Sequence, residues 1–311
     1  MDSIKRILSD PRISEGISEL HRKQPLWNLK LIAFFAAWGV IGYLIMQLDS
    51  WYLRFPGYVI LGFMMHGIGV NIHESIHGLL TKKNKLLNYL LGFFSGLPML
   101  LSRGAYKVVH TEHHRFNRLE GDPDELTNIT SNKRLQSVLF YVAFLIVGYV
   151  YIFLAPFMAI KLARNLRSRL IIIAEYFVII SIFSYIVLYL DGIGRMDIFV
   201  NCWLAPFLVL GLTVNIRAMA EHQMTNKGDK SIRRSRTVVT NRVTSFLLFN
   251  INYHIEHHLF PSIPWYNLPK AHKLLLAHYK VENAHIVPSY TKIVLDALRY
   301  GIHYVEPSKA A

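Results

Sequence analysis

Four stretches of the chain are apolar over lengths that suit a membrane crossing: Leu31 to Leu48, Tyr58 to Ile72, Leu170 to Leu190 and Met196 to Ile216. At the rise of an α-helix the last two alone reach roughly 30 Å, the thickness of a hydrocarbon core. Two further apolar runs fit less well. Leu86 to Leu101 is short, and both it and Val138 to Ile160 are interrupted by Gly or Pro (Gly92, Gly96 and Pro98; Gly148 and Pro156).

Charge sorts these runs. If the four spans form two hairpins with outer turns at Asp49 to Gly57 and Asp191 to Arg195, all 34 Lys and Arg residues except Arg54 and Arg195 fall on one side. The positive-inside rule makes that side cytoplasmic. The two awkward runs must then begin and end inside, the first as an interfacial or re-entrant helix and the second as a broken, shallow or hairpin segment. A six-span arrangement would instead put the basic loop Ser102 to Ser137 on the outer face.

The expected fold is therefore all-α: a polytopic helical membrane protein with four transmembrane helices in two hairpins, interfacial or re-entrant helices and a cytoplasmic cap. Residues 1–30 read as a basic amphipathic cytoplasmic segment, 31–216 as the membrane domain and 217–311 as the cap. The N-terminal segment has no signal-peptide cleavage site, so both termini are expected inside.

Composition agrees: 52% of residues are hydrophobic and only 17% charged. The net charge of +14 lies mostly on the inner face, where it suits anionic headgroups and acidic redox partners. No nucleic-acid-binding motif accompanies it. The single cysteine, Cys202, excludes a disulfide framework, a cysteine zinc ribbon and an intrinsic iron-sulfur cluster.

The chemistry lies in the histidines. "HESIH" places His73 and His77 at i and i+4 with Glu74 beside them, the H-E-x-x-H spacing of zinc peptidases. "HTEHH" (His110, His113, His114) and "HIEHH" (His254, His257, His258) each put three imidazoles at i, i+3 and i+4, one face of a helix. A lone ninth candidate, His222, sits just beyond the last span. All nine fall on the inner side of the predicted topology. Nine imidazoles exceed what one catalytic zinc uses and suit two metals. A dinuclear all-nitrogen site beside a membrane fits oxygen chemistry on C–H bonds better than hydrolysis. An intramembrane zinc protease would leave seven histidines idle, and a metal transporter would place its ligands at mid-membrane rather than at helix ends.

The H-E-x-x-H, H-x-x-H-H, H-x-x-H-H series, with "EGDPDE" (Glu120 to Glu125) and "NYHIEHHLFPSIPWYNLP" (Asn252 to Pro269), resembles the integral-membrane fatty acid desaturase and hydroxylase superfamily. The resemblance implies a non-haem di-iron oxygenase with two iron ions, dioxygen as co-substrate, histidine boxes on the cytoplasmic face and a lipid-like hydrocarbon chain as substrate. It also implies His222 as the ligand outside the boxes. The first box is shorter than that of acyl-CoA desaturases, and the third begins with His254 rather than the Gln of front-end desaturases. Ala218 stands where some relatives carry an Asn near the metals, which Asn215, Asn250 or Asn252 could replace. The absence of a fused cytochrome implies an external electron donor, a ferredoxin or a cytochrome with its reductase, and leans towards a bacterial inner membrane. The expected activity is a fatty acyl (acyl-lipid) desaturase, with a hydroxylase or ketolase of a carotenoid, alkane or fatty acyl substrate as the alternative.

Around the nine candidate ligands, Glu74, Glu112, Glu221 and Glu256 each adjoin a histidine and could accept an imidazole N–H, and Asp122 and Asp124 could orient ligands. "GDPDE" is also an ordinary helix start. Glu175, about a turn inside the third span, is expected to snorkel to the inner interface or to pair with Arg169 or Arg217. His66 reads as a core hydrogen-bonding residue; His272, His278, His285 and His303 have no box spacing and no assigned role.

Overall fold

The computed structural model describes residues 2–227 and 231–303. Met1 and 304–311, the chain ends whose cytoplasmic placement the charge pattern predicts, lie outside the described residues. Helices α1 (Asp2–Leu8) and α2 (Pro11–Leu20) precede the first apolar helix, α3 (Leu29–Met46). Then come α4 (Trp51–Ile76), α5 (Lys85–Gly96) and α6 (Arg103–Phe116). Next are α7 (Lys133–Leu162), α8 (Leu166–Gly192), α9 (Met196–Phe199) and α10 (Ala205–His222), the last two joined by a π-helical turn, Val200–Leu204. Shorter elements follow: β1 (Arg236–Val238), α11 (Arg242–Leu247), α12 (His254–Leu259), α13 (Leu268–Glu282), β2 (His285–Val287) and α14 (Tyr290–Tyr300).

The chain is thus mostly helical. Its departure from an all-α fold is the parallel pairing of β1 with β2, Arg236 opposite His285 and Val238 opposite Val287. Three-residue strands carry no legible period-two pattern, and hydropathy missed them.

Among the described residues, five helical stretches are long and apolar enough to cross a membrane: Pro25–Met46, Trp51–Ile76, Lys133–Leu162, Leu166–Gly192 and Met196–His222. Three of them contain stretches read as spans, and the first covers the Leu31 to Leu48 stretch except its last two residues, Gln47 and Leu48. The fifth is α7, where Gly and Pro suggested a break; it is one uninterrupted helix of 30 residues through Pro156. Proline removes one backbone donor, and a long apolar helix absorbs that loss because its other carbonyls keep their partners. By contrast α5 has 12 residues, about 18 Å, too short to cross.

The chain divides into two compact units. The first comprises residues 24–110 and 146–214, the second residues 1–23, 111–145 and 215–311. Part of the first unit's core is Ala105, Val109, Ala159, Ala163 and Ile172. The small residues let α6, α7 and α8 approach closely. A core of the second gathers Phe140, Met219, Val238, Val287, Ile293 and Ala297 from α7, α10, the strand pair and α14.

Within the first unit, α5 lies against the end of α4. The Asn88 side chain donates to the Ser75 carbonyl at 2.7 Å and accepts from the Leu80 N–H at 3.1 Å. A Cβ at Gly92 would stand 2.0 Å from Ser75 Oγ, so only glycine fits. Glu175 does not snorkel. It is buried on α8, where it accepts from the Tyr89 hydroxyl, from Ser102 Oγ at 2.6 Å and from the Gly104 N–H at 2.7 Å. It pairs with neither arginine: Arg169 donates to the Ala163 carbonyl and Arg217 to Glu221. The carboxylate fixes the start of α6 instead, because the first turn of a helix offers unsatisfied N–H groups that favour an anion.

Within the second unit, Asp10 caps α2 by accepting from the Arg12 N–H at 2.9 Å, and Pro11 takes the first helical position. Ile13 and Ile17, one turn apart, are buried.

Candidate metal centre

In the first unit α4 delivers His73 in its last turn and His77 at its C-cap, ring centroids 4.9 Å apart. From α6, His110 comes to 4.8 Å of His73 and 5.6 Å of His77. One ligand atom from each of the three lies within 4.8 Å of the others. Tyr106 stacks on His110 with ring centroids 5.1 Å apart, and the Glu74 carboxylate lies 3.3 Å from His73 Nδ1. Burial lowers His77 to about 4, so its imidazole is a neutral donor at neutral pH.

In the second unit His113, His222, His254 and His258 converge, their ligand atoms again within 4.8 Å of one another. The His254 and His222 Nε2 atoms are 2.7 Å apart, and those of His258 and His254 3.1 Å. His114 and His257 form a further close pair, Nε2 to Nε2 2.8 Å, and the His114 ring stacks on His258 with centroids 4.4 Å apart. All nine predicted histidines therefore lie in imidazole clusters, three in the first unit and six in the second.

Of the acids expected to orient ligands, Asp122 does so directly. It accepts from His113 Nδ1 at 3.0 Å while the Arg118 and Asp124 N–H groups donate to it at 2.7 and 3.0 Å. Burial would lower the His113 pKa, but Asp122, then Asp124 and Glu221, outweigh it and hold the imidazole above its ordinary value. Asp122 is depressed in turn: burial opposes this, but His113 and the two N–H groups prevail. Asp124 is exposed, 3.8 Å from His113 Nδ1.

Glu221 faces His254 at 3.5 Å rather than its neighbour His222, and binds Arg217 at 3.0 Å. Glu112 turns to Arg115, 3.5 Å away. Glu256 is buried and engaged by Thr237 and His272, each at 2.6 Å, which anchors α12 to β1 and α13. His272, unassigned by spacing, is thus an anchor of the third box. His66 makes the core hydrogen bond expected of it, 2.9 Å from Thr213 Oγ1.

Three polar side chains at the site carried no sequence signal. Asn117 Nδ2 lies 3.4 Å from His258 Nδ1, whereas Asn250 and Asn252 bond to the Trp265 and Val238 carbonyls. Arg118 is buried and donates to the His222 carbonyl. Fully buried Arg236 reaches the carbonyls of Gln223 and Met224 at 3.0 and 3.1 Å, where α10 ends. Cations are favourable at that end of a helix.

The donor set fits a metal. Two imidazoles sharing an ion at about 2.1 Å place their nitrogens roughly 3 Å apart, close to the spacings found here. His258 is pushed well below its ordinary pKa, first by burial and then by the neighbouring imidazoles, which keeps the lone pair of one ring nitrogen available. Neutral nitrogen ligands suit iron, zinc, copper and nickel alike.

The sequence profile described as fatty acid desaturase matches residues 49–290, more than three-quarters of the chain. The chain belongs to the fatty acid desaturase family. It is 30% identical over 284 residues to the chicken (Gallus gallus) sphingolipid delta(4)-desaturase DES1, covering 87% of this chain and 79% of that protein. The Xenopus tropicalis sphingolipid delta(4)-desaturase DES1 is 28% identical over 240 residues, 76% of this chain and 70% of its own. The human sphingolipid delta(4)-desaturase/C4-monooxygenase DES2 is 27% identical over 277 residues, with coverages of 86% and 77%. This desaturase is an oxidoreductase, and with its five apolar helices an integral membrane protein.

Proposed function

We propose that the protein is an oxygen-dependent di-iron desaturase that introduces a double bond into the hydrocarbon chain of a membrane lipid. The observation that carries this reading is the four-imidazole cluster of His113, His222, His254 and His258 in a chain of this family. These four would hold one iron. His73, His77 and His110 would ligate the other, and His114 and His257 are the remaining pair of donors. Iron bound there would supply the activation of dioxygen needed to attack an unactivated methylene. The net change removes two hydrogens from adjacent carbons and reduces dioxygen to two waters, which takes two electrons and two protons from an external donor, a ferredoxin or a cytochrome with its reductase.

The protein's own residues do the positioning. Asp122 accepts a hydrogen bond from His113 Nδ1–H, so that the other ring nitrogen is presented to the cluster, and Glu74 stands in the same relation to His73. Burial lowers the pKa of His77 and of His258, which keeps these two imidazoles neutral.

For orientation we propose four crossing helices, α3, α4, α8 and the α9–α10 rod, with the three regions 1–30, 31–216 and 217–311 as read from the sequence and both termini cytoplasmic. Helix α7 then lies along the inner interface. Lys133 and Arg134 at one end and Lys161, with Arg164 and Arg167 just beyond it, at the other would otherwise put one basic cluster on the outer face. The animal relatives give no ground for a bacterial inner membrane, and the proposal is confined to an integral membrane location.

The relatives' names make a sphingolipid chain the first substrate to test and the acyl chain of a glycerolipid the second. The double name of the human relative, desaturase and C4-monooxygenase, favours hydroxylation as the second outcome. Lipid profiling of a host expressing the wild type or His113→Ala decides among them. A new double bond with the wild type and none with the variant is the expected result. A hydroxylated chain with no new alkene would replace the desaturase reading, and full activity of His113→Ala would refute the ligand assignment.

A further inference from the structure

Arg118 binds both halves of the four-imidazole cluster. It follows the end of α6 with a left-handed backbone, φ 68°, directly after Asn117 at φ 26°. Such conformations are costly for residues other than glycine and persist where the surroundings fix them. They turn the Arg118 N–H onto Asp122 Oδ2 at 2.7 Å, the carboxylate that holds His113. The side chain of the same residue runs the other way: Nη1 donates to the His222 carbonyl and lies 3.4 Å from Gln223 Oε1. Its charge is balanced by Glu125, whose Oε2 lies 3.2 Å from Nε and whose Oε1 accepts from the Thr127 N–H at 3.0 Å. Both members of the pair are buried, at 5% and 3% exposure, so neither is a solvated surface charge.

We infer that Arg118 is a positioning residue that sets the distance between His113 and His222, using the planar guanidinium as a rigid strut from the Asp122 turn to the last carbonyl of α10. The inference rests on the di-iron reading. A lysine would keep the charge opposite Glu125 but could not span to the His222 carbonyl with a second donor in the fork geometry. Arg118 is not among the candidate ligands; it acts through Asp122 and through the backbone of His222. Partners of this kind typically change metal affinity by about 10- to 100-fold when removed.

The test uses the full-length chain purified in detergent, loaded anaerobically with iron(II), with release to the chelator ferrozine followed by absorbance and folding by circular dichroism. The variants are Arg118→Lys and the double variant Arg118→Gln/Glu125→Gln, which leaves no single buried charge behind should the lysine fail to fold. The expected result is two irons per wild-type chain and, in a variant that melts like wild type, one iron released about 10- to 100-fold faster while the other leaves at the wild-type rate. A general loss of packing would accelerate both and would overturn the inference, as would wild-type release of both irons from a folded variant. A wild-type chain that binds no iron would overturn the di-iron reading and this inference with it, whereas two irons with unchanged release would overturn the inference alone.

Discussion

Replacing Glu175 by Ala tests whether a carboxylate within an apolar helix is there to hold α6. Three donors face it: the Tyr89 hydroxyl, Ser102 Oγ at 2.6 Å and the Gly104 N–H at 2.7 Å. Hydrogen bonds to a charged group contribute about 1.5–3 kcal/mol each, so the gross loss is about 4.5–9 kcal/mol. Against this stands the cost of keeping a carboxylate in a membrane helix, about 2.5–3.5 kcal/mol by insertion scales, which the alanine variant no longer bears. The difference leaves a net destabilisation of about 1–6.5 kcal/mol. For a chain of 311 residues, at about 2.1 cal/mol/K of unfolding entropy per residue, that is a fall of roughly 1.5–10 °C in the thermal midpoint. The assay is thermal unfolding in detergent, with Glu15→Ala as the exposed-glutamate reference. If His110 ligates iron as proposed, the loosened start of α6 should also weaken its hold on the metal. A midpoint within about a degree of the reference would refute the reasoning, because Glu175 would then be no more than a tolerated charge.

Gly92→Ala should cost about 2–4 kcal/mol, since the new methyl would meet Ser75 Oγ at 2.0 Å and push it off Arg103 Nε, now 2.9 Å away. Gly39→Ala, where a Cβ meets nothing within 4 Å, should be neutral or stabilising, and equal midpoints for the two would count against the packing argument. His285 is buried beside Asn226 and burial, reinforced by Arg236, lowers its pKa from 6.5 to about 3. The unfolded chain therefore binds a proton below 6.5 that the folded one refuses, so stability is full above that pH and is lost as pH falls towards 3. At pH 5 the loss is about 2 kcal/mol. His285→Gln keeps a donor for Asn226 without titrating; wild type should lose that amount relative to the variant between pH 7 and pH 5, and parallel stability curves would sink the assignment.

The clustering of the box histidines was legible because one helical turn is a short-range fact: i, i+3 and i+4 face one way wherever the helix goes. The four long helices that match the predicted spans to within two residues were legible for a similar reason, since length and composition suffice for them. α7 was misjudged because Gly148 and Pro156 signal breaks in water, where freed carbonyls find solvent, but less so in an apolar environment. The short strands β1 and β2 are held by pairing across nearly fifty residues, which no local pattern reports.

What holds the histidines was legible only where Asp122 meets His113 and Glu74 meets His73; the rest was not, and the reason is geometric. Adjacency in sequence suggested four glutamates as partners of their neighbours, yet consecutive residues on a helix point about 100° apart. Glu112 and Glu256 accordingly turn away, and Glu221 serves His254, 33 positions further on, at 3.5 Å. The effective supports reach across the chain: Arg118 to the carbonyl of His222, His272 to Glu256, Arg236 to the end of α10. Arg236 shows the difficulty most clearly. In "SIRRSR" it reads as one of several solvated charges, and it is fully buried because the last turn of α10 leaves carbonyls that only a long cation can reach without water. Nitrogen donors repeat with the helix and so announce themselves. Their supports are chosen by tertiary distance, and substitutions there should alter the retention of metal before they alter the fold.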